Sequence, residues 1–238
     1  IDGERMPVAA GVMMARAAAE AARQGMSGFA WAIGVPGTIG GSVRGNAGCF
    51  GHEMKDVVES VEVFDAVTSA SVHYPASSIQ FDYRDSIFKR HPERIVLSAT
   101  LQLQKGDAAT IQQEIRAMSV ERSAKQDIGA KCCGCIFKNP AWPESPAEKE
   151  KLRARFPEFA ALTKRETIPA AFLIDRAGLK GKRVGRIVIS EKHANFFINE
   201  GGGAAEEVRA LIAMAQKAVQ EKYGIVLHEE IQQVGFES

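Results

Sequence analysis

Arg84 lies in Phe81-Asp82-Tyr83-Arg84-Asp85-Ser86-Ile87-Phe88-Lys89, an arginine among aromatic residues. A guanidinium in such a setting can hold a carboxylate with two parallel hydrogen bonds, which fixes orientation as well as charge. The competing reading is a structural ion pair with a neighbouring acid such as Asp85. Cys135 follows Gly134 and precedes the apolar pair Ile136-Phe137, with Lys138 and Asn139 next. A thiol with a pKa of about 8.5 is protonated at neutral pH and can donate its proton. Cys132-x-x-Cys135 could also be half of a zinc site, but no second pair with suitable spacing follows. A redox dithiol would need a thioredoxin-like βαβ setting, which is absent. A small buried hydrophobe is the plainest alternative. Glu230, in Leu227-His228-Glu229-Glu230-Ile231, alternates with apolar neighbours. If it faces inward it must be paired or protonated; otherwise it lies on the wet face. His193, in a polar stretch, is a further candidate.

The other chemically suggestive stretch is Gly34-Val35-Pro36-Gly37-Thr38-Ile39-Gly40-Gly41-Ser42, continuing to Asn46-Ala47-Gly48. Four glycines fall within eight residues. Successive backbone amides in such a turn can form a concave, partly positive nest for an anion, with a diphosphate the natural occupant. Gly37, Thr38, Gly40, Gly41, Ser42 and Asn46 are the expected cofactor contacts. A tight structural turn between buried elements is the alternative. The spacing is not the G-x-G-x-x-G of a dinucleotide-binding βαβ unit.

The elements that must carry these residues read as follows. Val8 to Gln24, rich in alanine, methionine and glutamate, predicts a helix ending at Gly25. Val57 to Asp65 alternates and predicts a strand, with Ser71 to Tyr74 as its partner. Ile95 to Gln104 predicts another, and Ala108 to Ser123 a helix. Composition changes near Lys125. A charged helix is expected over Ala147 to Arg155 and a short apolar one from Ile168-Pro169-Ala170 to Arg176. Strands are expected over Val184 to Ser190 and Asn195 to Ile198. The best-defined helix is Ala205 to Lys222, and Ile225 to Val234 is expected to be a last strand. The fold class is α+β in two lobes, residues 1–123 and 124–238.

The chain has 238 residues, with 45% hydrophobic and 25% charged, as in an ordinary globular protein. A formal net charge of +1 gives no electrostatic case for nucleic acid or an anionic membrane. No apolar run approaches the roughly 20 residues of a membrane helix. Four cysteines, three of them crowded at 132–135, point to a reducing compartment and a cytoplasmic protein.

Taken together, GVPGTIGGSVRGNAG, FDYRDSIFK, GCIFKNP, LIDRAGLKG, SEKHANFFIN and LHEEI resemble, in order, segments of the flavin-dependent UDP-N-acetylenolpyruvoylglucosamine reductases of peptidoglycan synthesis. They cover nearly the whole chain. The resemblance implies FAD against the glycine-rich stretch, NADPH as co-substrate and a UDP-sugar as substrate, in a monomer. It implies that Arg84 and Glu230 flank the enolpyruvyl group and that Cys135 stands where the family's proton donor, usually serine, stands. Tyr83, Lys125, Lys138, Asn139 and Arg176 are the implied substrate contacts, and no metal is expected. The spacing from Arg84 to Cys135 resembles the subclass without an extra substrate-clamping loop. The family's N-terminal flavin-binding lobe is expected to lie outside this chain, through trimming or divergence, and a chain without it is expected to bind FAD poorly.

The implied reaction has two stages, reduction of FAD by NADPH and then reduction of the enolpyruvyl ether. The spatial expectation is that Arg84, Cys135 and Glu230 converge beside the turn at 34–42. Two other readings remain at this point: a different FAD-linked oxidoreductase, and a nucleotide-sugar-binding remnant without flavin.

Overall fold

The computed structural model describes residues 1–162 and 164–236. The chain divides into two units, Ile1–Ala124 and Lys125–Ser238. The architecture is α+β, with antiparallel sheets and helices in both units.

In the first unit the elements are β1 (Arg5–Ala9), α1 (Met14–Arg23), β2 (Met26–Ser27), α2 (Ile39–Arg44), β3 (Gly48–Cys49), β4 (His52–Glu53), β5 (Val58–Asp65), β6 (Ala70–Pro75), α3 (Ile87–Arg90), β7 (Arg94–Gln102), β8 (Gln104–Lys105) and α4 (Ala108–Lys125). Four strands make a sheet in the order β1-β7-β5-β6, every neighbour antiparallel. Val58, Val61 and Val63 of β5 are buried together with Ser60, so strict alternation fails there. Two register shifts against β7 cause it, because each extra residue turns the following side chains to the other face. Helix α1 buries Met14, Ala17, Ala18, Ala21 and Ala22, one face at helical spacing, and its small residues allow close packing. Phe29 and Trp31 fill the adjoining core, with ring centroids 5.5 Å apart and nearly perpendicular.

The start of the chain corrects the expected helix from Val8. Arg5, Pro7 and Ala9 are exposed while Met6 and Val8 are buried, a period of two. Pairing with β7 over Arg5↔Gln102 to Ala9↔Ser98 outweighs the helix propensity of the alanines that follow, and α1 begins only at Met14.

The second unit holds α5 (Pro146–Arg155), α6 (Ala170–Arg176), β9 (Arg183–Val184), β10 (Ile187–Ile189), β11 (Phe197–Asn199) and α7 (Ala205–Tyr223). The strands form a sheet in the order β11-β10-β9, all antiparallel. Helix α7 lays Leu211, Ile212, Ala215, Val219 and Tyr223 into the core. Helix α5 buries none of its residues, as its charge content dictates; Phe159 and Leu162, just after it, are buried instead. The expected strand Val184 to Ser190 is interrupted, with β9 and β10 joined by a turn at Gly185-Arg186. The expected closing strand Ile225 to Val234 is also corrected. Among the described residues it makes one isolated bridge, Glu229 to Phe137, because its backbone pairs only with the short run at 136–138 while Leu227 is held by Gln216 of α7.

Candidate active site

In the first unit, Tyr83 and Arg84 form the tip of a tight turn. Asp82 and Asp85 exchange both backbone hydrogen bonds, at 3.0 and 3.1 Å. Arg84 has φ +54°, a left-handed conformation uncommon for a long side chain. Such local strain persists where surroundings over-determine it, often at functional positions. The guanidinium is held from several sides. Nη2 donates to the Gly48 carbonyl at 3.0 Å, and Nη1 stands 3.5 Å from the Glu53 carboxylate. The group lies 5.0 Å from the Tyr83 ring centroid. Gly48 permits this: a Cβ there would meet the His52 carbonyl at 2.4 Å and Arg84 Nη1 at 3.2 Å. Asp85 is not the anion paired here, since it binds Arg90. The relevant carboxylate is Glu53, 31 residues away in sequence, which local spacing could not reveal.

Asn46 differs from its expected role. It is fully buried, its Nδ2 donates to Glu53 Oε2 (3.0 Å) and the Asp82 carbonyl (2.9 Å), and its Oδ1 accepts from Lys55 N–H (3.0 Å). Both amide hydrogens and the oxygen are spent inside the unit. Asn46 therefore braces the turn that carries Arg84, and its side chain has no donor left for a cofactor.

The glycine-rich stretch also uses its amides differently from a four-amide nest. Ile39 N–H bonds the Val12 carbonyl, Gly40 N–H the Ala10 carbonyl, and Ser42 N–H the Thr38 carbonyl. Gly41 N–H points at Thr38 Oγ1 at 3.4 Å, the cap of α2. Ser42 is buried on the inner face of α2 beside Val43. What faces outward is Gly37, with φ +110° and nothing within 4 Å of where a Cβ would stand. A second feature lies close by. The Arg122 side chain crosses Gly34 so tightly that a Cβ there would come within 2.6 Å of its Cδ. Arg122 Nη1 donates to Cys49 Sγ at 3.1 Å, and its buried Nε has no hydrogen-bond partner. The backbone left uncovered at Gly37, with the Arg122 charge beside the same turn, suits an anionic ligand laid along 34–37.

In the second unit, Cys135 begins a short extended run fixed on both sides. Cys135 bridges Phe196, and Ile136 N–H donates to the Asn195 carbonyl at 2.9 Å. The Asn195 side chain grips Phe137 at both ends: Oδ1 accepts from Phe137 N–H at 2.9 Å, and Nδ2 donates to its carbonyl at 2.8 Å. On the opposite side, Glu230 N–H donates to the Ile136 carbonyl at 2.7 Å and Lys138 N–H to the His228 carbonyl at 2.9 Å. Cys135 and Glu230 are thus carried by hydrogen-bonded neighbours. Asn139 is half-buried and its Oδ1 accepts from Ala170 N–H at 3.0 Å, so it holds the start of α6. His193 packs its ring against Phe196, centroids 4.5 Å apart.

Arg176 stands at the other end of the helix that Asn139 starts. It ends α6, roughly 9 Å along the axis from Ala170 at 1.5 Å per residue. Its guanidinium lies over Phe172, 5.6 Å from the centroid, and its charge helps hold the Glu158 carboxyl below the usual range. Lys125 is the exposed last residue of α4. All four cysteines are free thiols, and among the described residues no group of three or more His, Cys, Asp or Glu side chains converges. No described helix is long and apolar enough to cross a membrane.

Asn195, Arg122 and Glu53 were missed in the sequence. Only Asn195 carried a signal: an amide among Ala194, Phe196 and Phe197 that, if buried, has to be hydrogen-bonded.

Comparison with known proteins gives concordant findings. The family described as "UDP-N-acetylenolpyruvoylglucosamine reductase, C-terminal domain" matches residues 126–234, and "FAD binding domain" matches residues 1–69. A UDP-N-acetylenolpyruvoylglucosamine reductase of Solibacter usitatus is 35% identical over 98% of this chain and 73% of its own length. One of Caldicellulosiruptor bescii is 38% identical over 99% of this chain and 67% of its own. The crystal structure of the UDP-N-acetylenolpyruvylglucosamine reductase of Thermus caldophilus is similar with a TM-score of 0.74 at 32% identity, covering 95% of this chain and 71% of that one.

Proposed function

The chain belongs to the family of UDP-N-acetylenolpyruvoylglucosamine reductases, and from that premise we propose that it reduces UDP-N-acetylglucosamine enolpyruvate to UDP-N-acetylmuramate with NADPH, in peptidoglycan precursor synthesis. We further propose that it works in the cytoplasm as a monomer, in support of cell shape and division, with no nucleic-acid or membrane partner. FAD is the anionic ligand that suits the edge at 34–37. Gly37 and Gly41 would lie against it, Thr38, Gly40 and Ser42 would shape that edge, and Arg122 would contribute its positive charge. When bound, FAD supplies the hydride, drawn from NADPH, that the vinyl carbon of the substrate receives.

The remaining chemistry belongs to this chain. Arg84, a fixed cation, would hold the enolpyruvyl carboxylate where negative charge builds up. Glu230 would stabilise that enolate-like state or relay a proton. Cys135 would protonate the carbon next to the carboxylate: its S–H bond breaks, a C–H bond forms, and the thiolate regains a proton from solvent before the next turnover. Tyr83, Lys125, Lys138, Asn139 and Arg176 are proposed to meet the sugar and diphosphate.

The observation that supports this reading most directly is the 2.7 Å bond from Glu230 N–H to the carbonyl of Ile136, next to Cys135. It ties together the two segments that would carry acid and thiol. The test is NADPH oxidation by the FAD-loaded protein with and without the enolpyruvyl sugar. Oxidation should require the sugar. Cys135→Ser should keep measurable turnover and Cys135→Ala should lose about 10²- to 10⁴-fold. Equal rates for Cys135→Ala and the parent would remove the thiol from the mechanism, and sugar-independent oxidation would favour another FAD-linked oxidoreductase.

A further inference from the structure

We propose that Asn195 is a positioning residue for protonation, setting where the Cys135 thiol stands through its grip on the two residues that follow it. The inference rests on the assignment of Cys135 as proton donor. Asn195 is 1% exposed, and one residue supplies three hydrogen bonds to Ile136 and Phe137. A side-chain amide here does the work of a neighbouring strand. It offers one donor and one acceptor to a backbone that would otherwise bury both of its own unmatched. The same two residues give the Ile136 carbonyl to Glu230, so the grip fixes both chemically important positions.

The turn that presents Asn195 is itself locked. Ser190, 2% exposed, donates its hydroxyl to the Asp127 carboxylate and accepts the Lys192 and His193 amides at 3.0 and 2.9 Å. Ser190 N–H bonds the Phe196 carbonyl at 2.9 Å, and Phe196 N–H bonds the His193 carbonyl at 2.8 Å. These bonds fix Phe196 and His193 on either side of Asn195 in the chain, and Asn195 in turn bonds the two residues that follow the thiol. Without the two side-chain bonds the run would keep its backbone bonds at Ile136 and Lys138, but Phe137 would lose both of its own and could shift by fractions of an ångström. Proton transfer to carbon is sensitive on that scale, since a misplacement of about 1 Å can cost on the order of 100-fold.

The test is a double-mutant cycle in the FAD-loaded protein. Asn195→Ala should lower turnover at saturating substrate by about 10- to 100-fold and leave KM for NADPH unchanged. In a Cys135→Ala background the same change should alter the residual rate by less than about twofold, because its effect passes through the thiol. Alkylation of Cys135, followed by peptide mass against pH, should shift its profile in Asn195→Ala. Asn195→Ser, which keeps a hydroxyl but is too short to bond both ends of Phe137, should fall between parent and alanine variant. If Asn195→Ala does not fold, Asn195→Ser and Ser190→Ala carry the same cycle. An equal loss in both backgrounds would make Asn195 a general stabiliser and overturn the proposal, as would a parent-like rate and alkylation profile. A Cys135→Ala rate equal to the parent would instead strike at the donor assignment on which the proposal rests.

Discussion

Asn46 spends its whole side-chain amide within the fold, and its backbone is left-handed at φ +43°, a conformation asparagine tolerates better than most residues. Asn46→Ala should therefore cost about 2–4 kcal/mol of stability, from three lost bonds and one strained backbone, read as a lower urea midpoint. The FAD affinity of the folded fraction should stay within a few-fold of the parent, because the side chain has no donor to give the cofactor; a stable variant that has lost FAD would contradict this. The sequence marked Asn46 by its place near a glycine run, while its partners Glu53 and Asp82 come from β4 and from the turn before Arg84. Arg84 stood out as an arginine among aromatics, with a structural ion pair as the competing reading. Its left-handed backbone and its anchor on Glu53 were not legible, since both follow from tertiary contacts that residue type does not encode.

Helical periodicity was readable wherever it was long. Helix α7 runs from Ala205 to Tyr223, within a residue of its expected end, because its apolar face repeats over five turns. Short extended segments were not, because a strand exists only where a partner exists. Val8 has such a partner in β7; Ile225 to Val234 has one for a single bridge. The C-terminal end of α7 also carries a testable contact. Tyr223 is buried in the aromatic cluster of Phe156, Phe159 and Phe172, and its hydroxyl donates to Glu158 at 3.0 Å. Burial, then the bond to Glu158, pushes the phenol's pKa up, while Glu158 is held below the usual carboxylate range by a backbone hydrogen bond first and Tyr223 among its other partners. A raised phenol contributes stability fully present below its unfolded pKa of about 10 and lost as pH rises further; a lowered carboxyl contributes stability present above about 4.3 and lost as pH falls. Tyr223→Phe should thus lower the Tm most between roughly pH 5 and 10, by the equivalent of about 1.5 kcal/mol, a low-end value because Glu158 is partly solvated. The gap between variant and parent should narrow on both sides of that window. A constant gap from pH 4 to 11 would mean the effect is packing alone.

At the scale of the whole molecule, the two larger hydrophobic cores are built from different parts of the chain, and each holds one of the two tryptophans, Trp31 in the first and Trp142 in the second. Composition changes near Lys125, where the glycine- and alanine-rich packing of α1 and α2 gives way to prolines and charged residues. The chemical division is sharper. If the flat edge at 34–37 and Arg122 hold FAD, cofactor binding adds free energy to the first unit, on the order of 2.7 kcal/mol at a hundredfold excess over Kd. Trp142→Phe leaves Trp31 as the only indole reporter, and Trp31→Phe leaves Trp142. Denaturant unfolding of each variant, with and without FAD, should show a rise in midpoint for the Trp31 signal that exceeds the rise for the Trp142 signal. Comparing each variant with itself removes the cost of the tryptophan change. Equal rises in both signals would mean that FAD binding is not confined to the first unit, and a rise seen only by Trp142 would move the cofactor assignment away from the glycine-rich turn altogether.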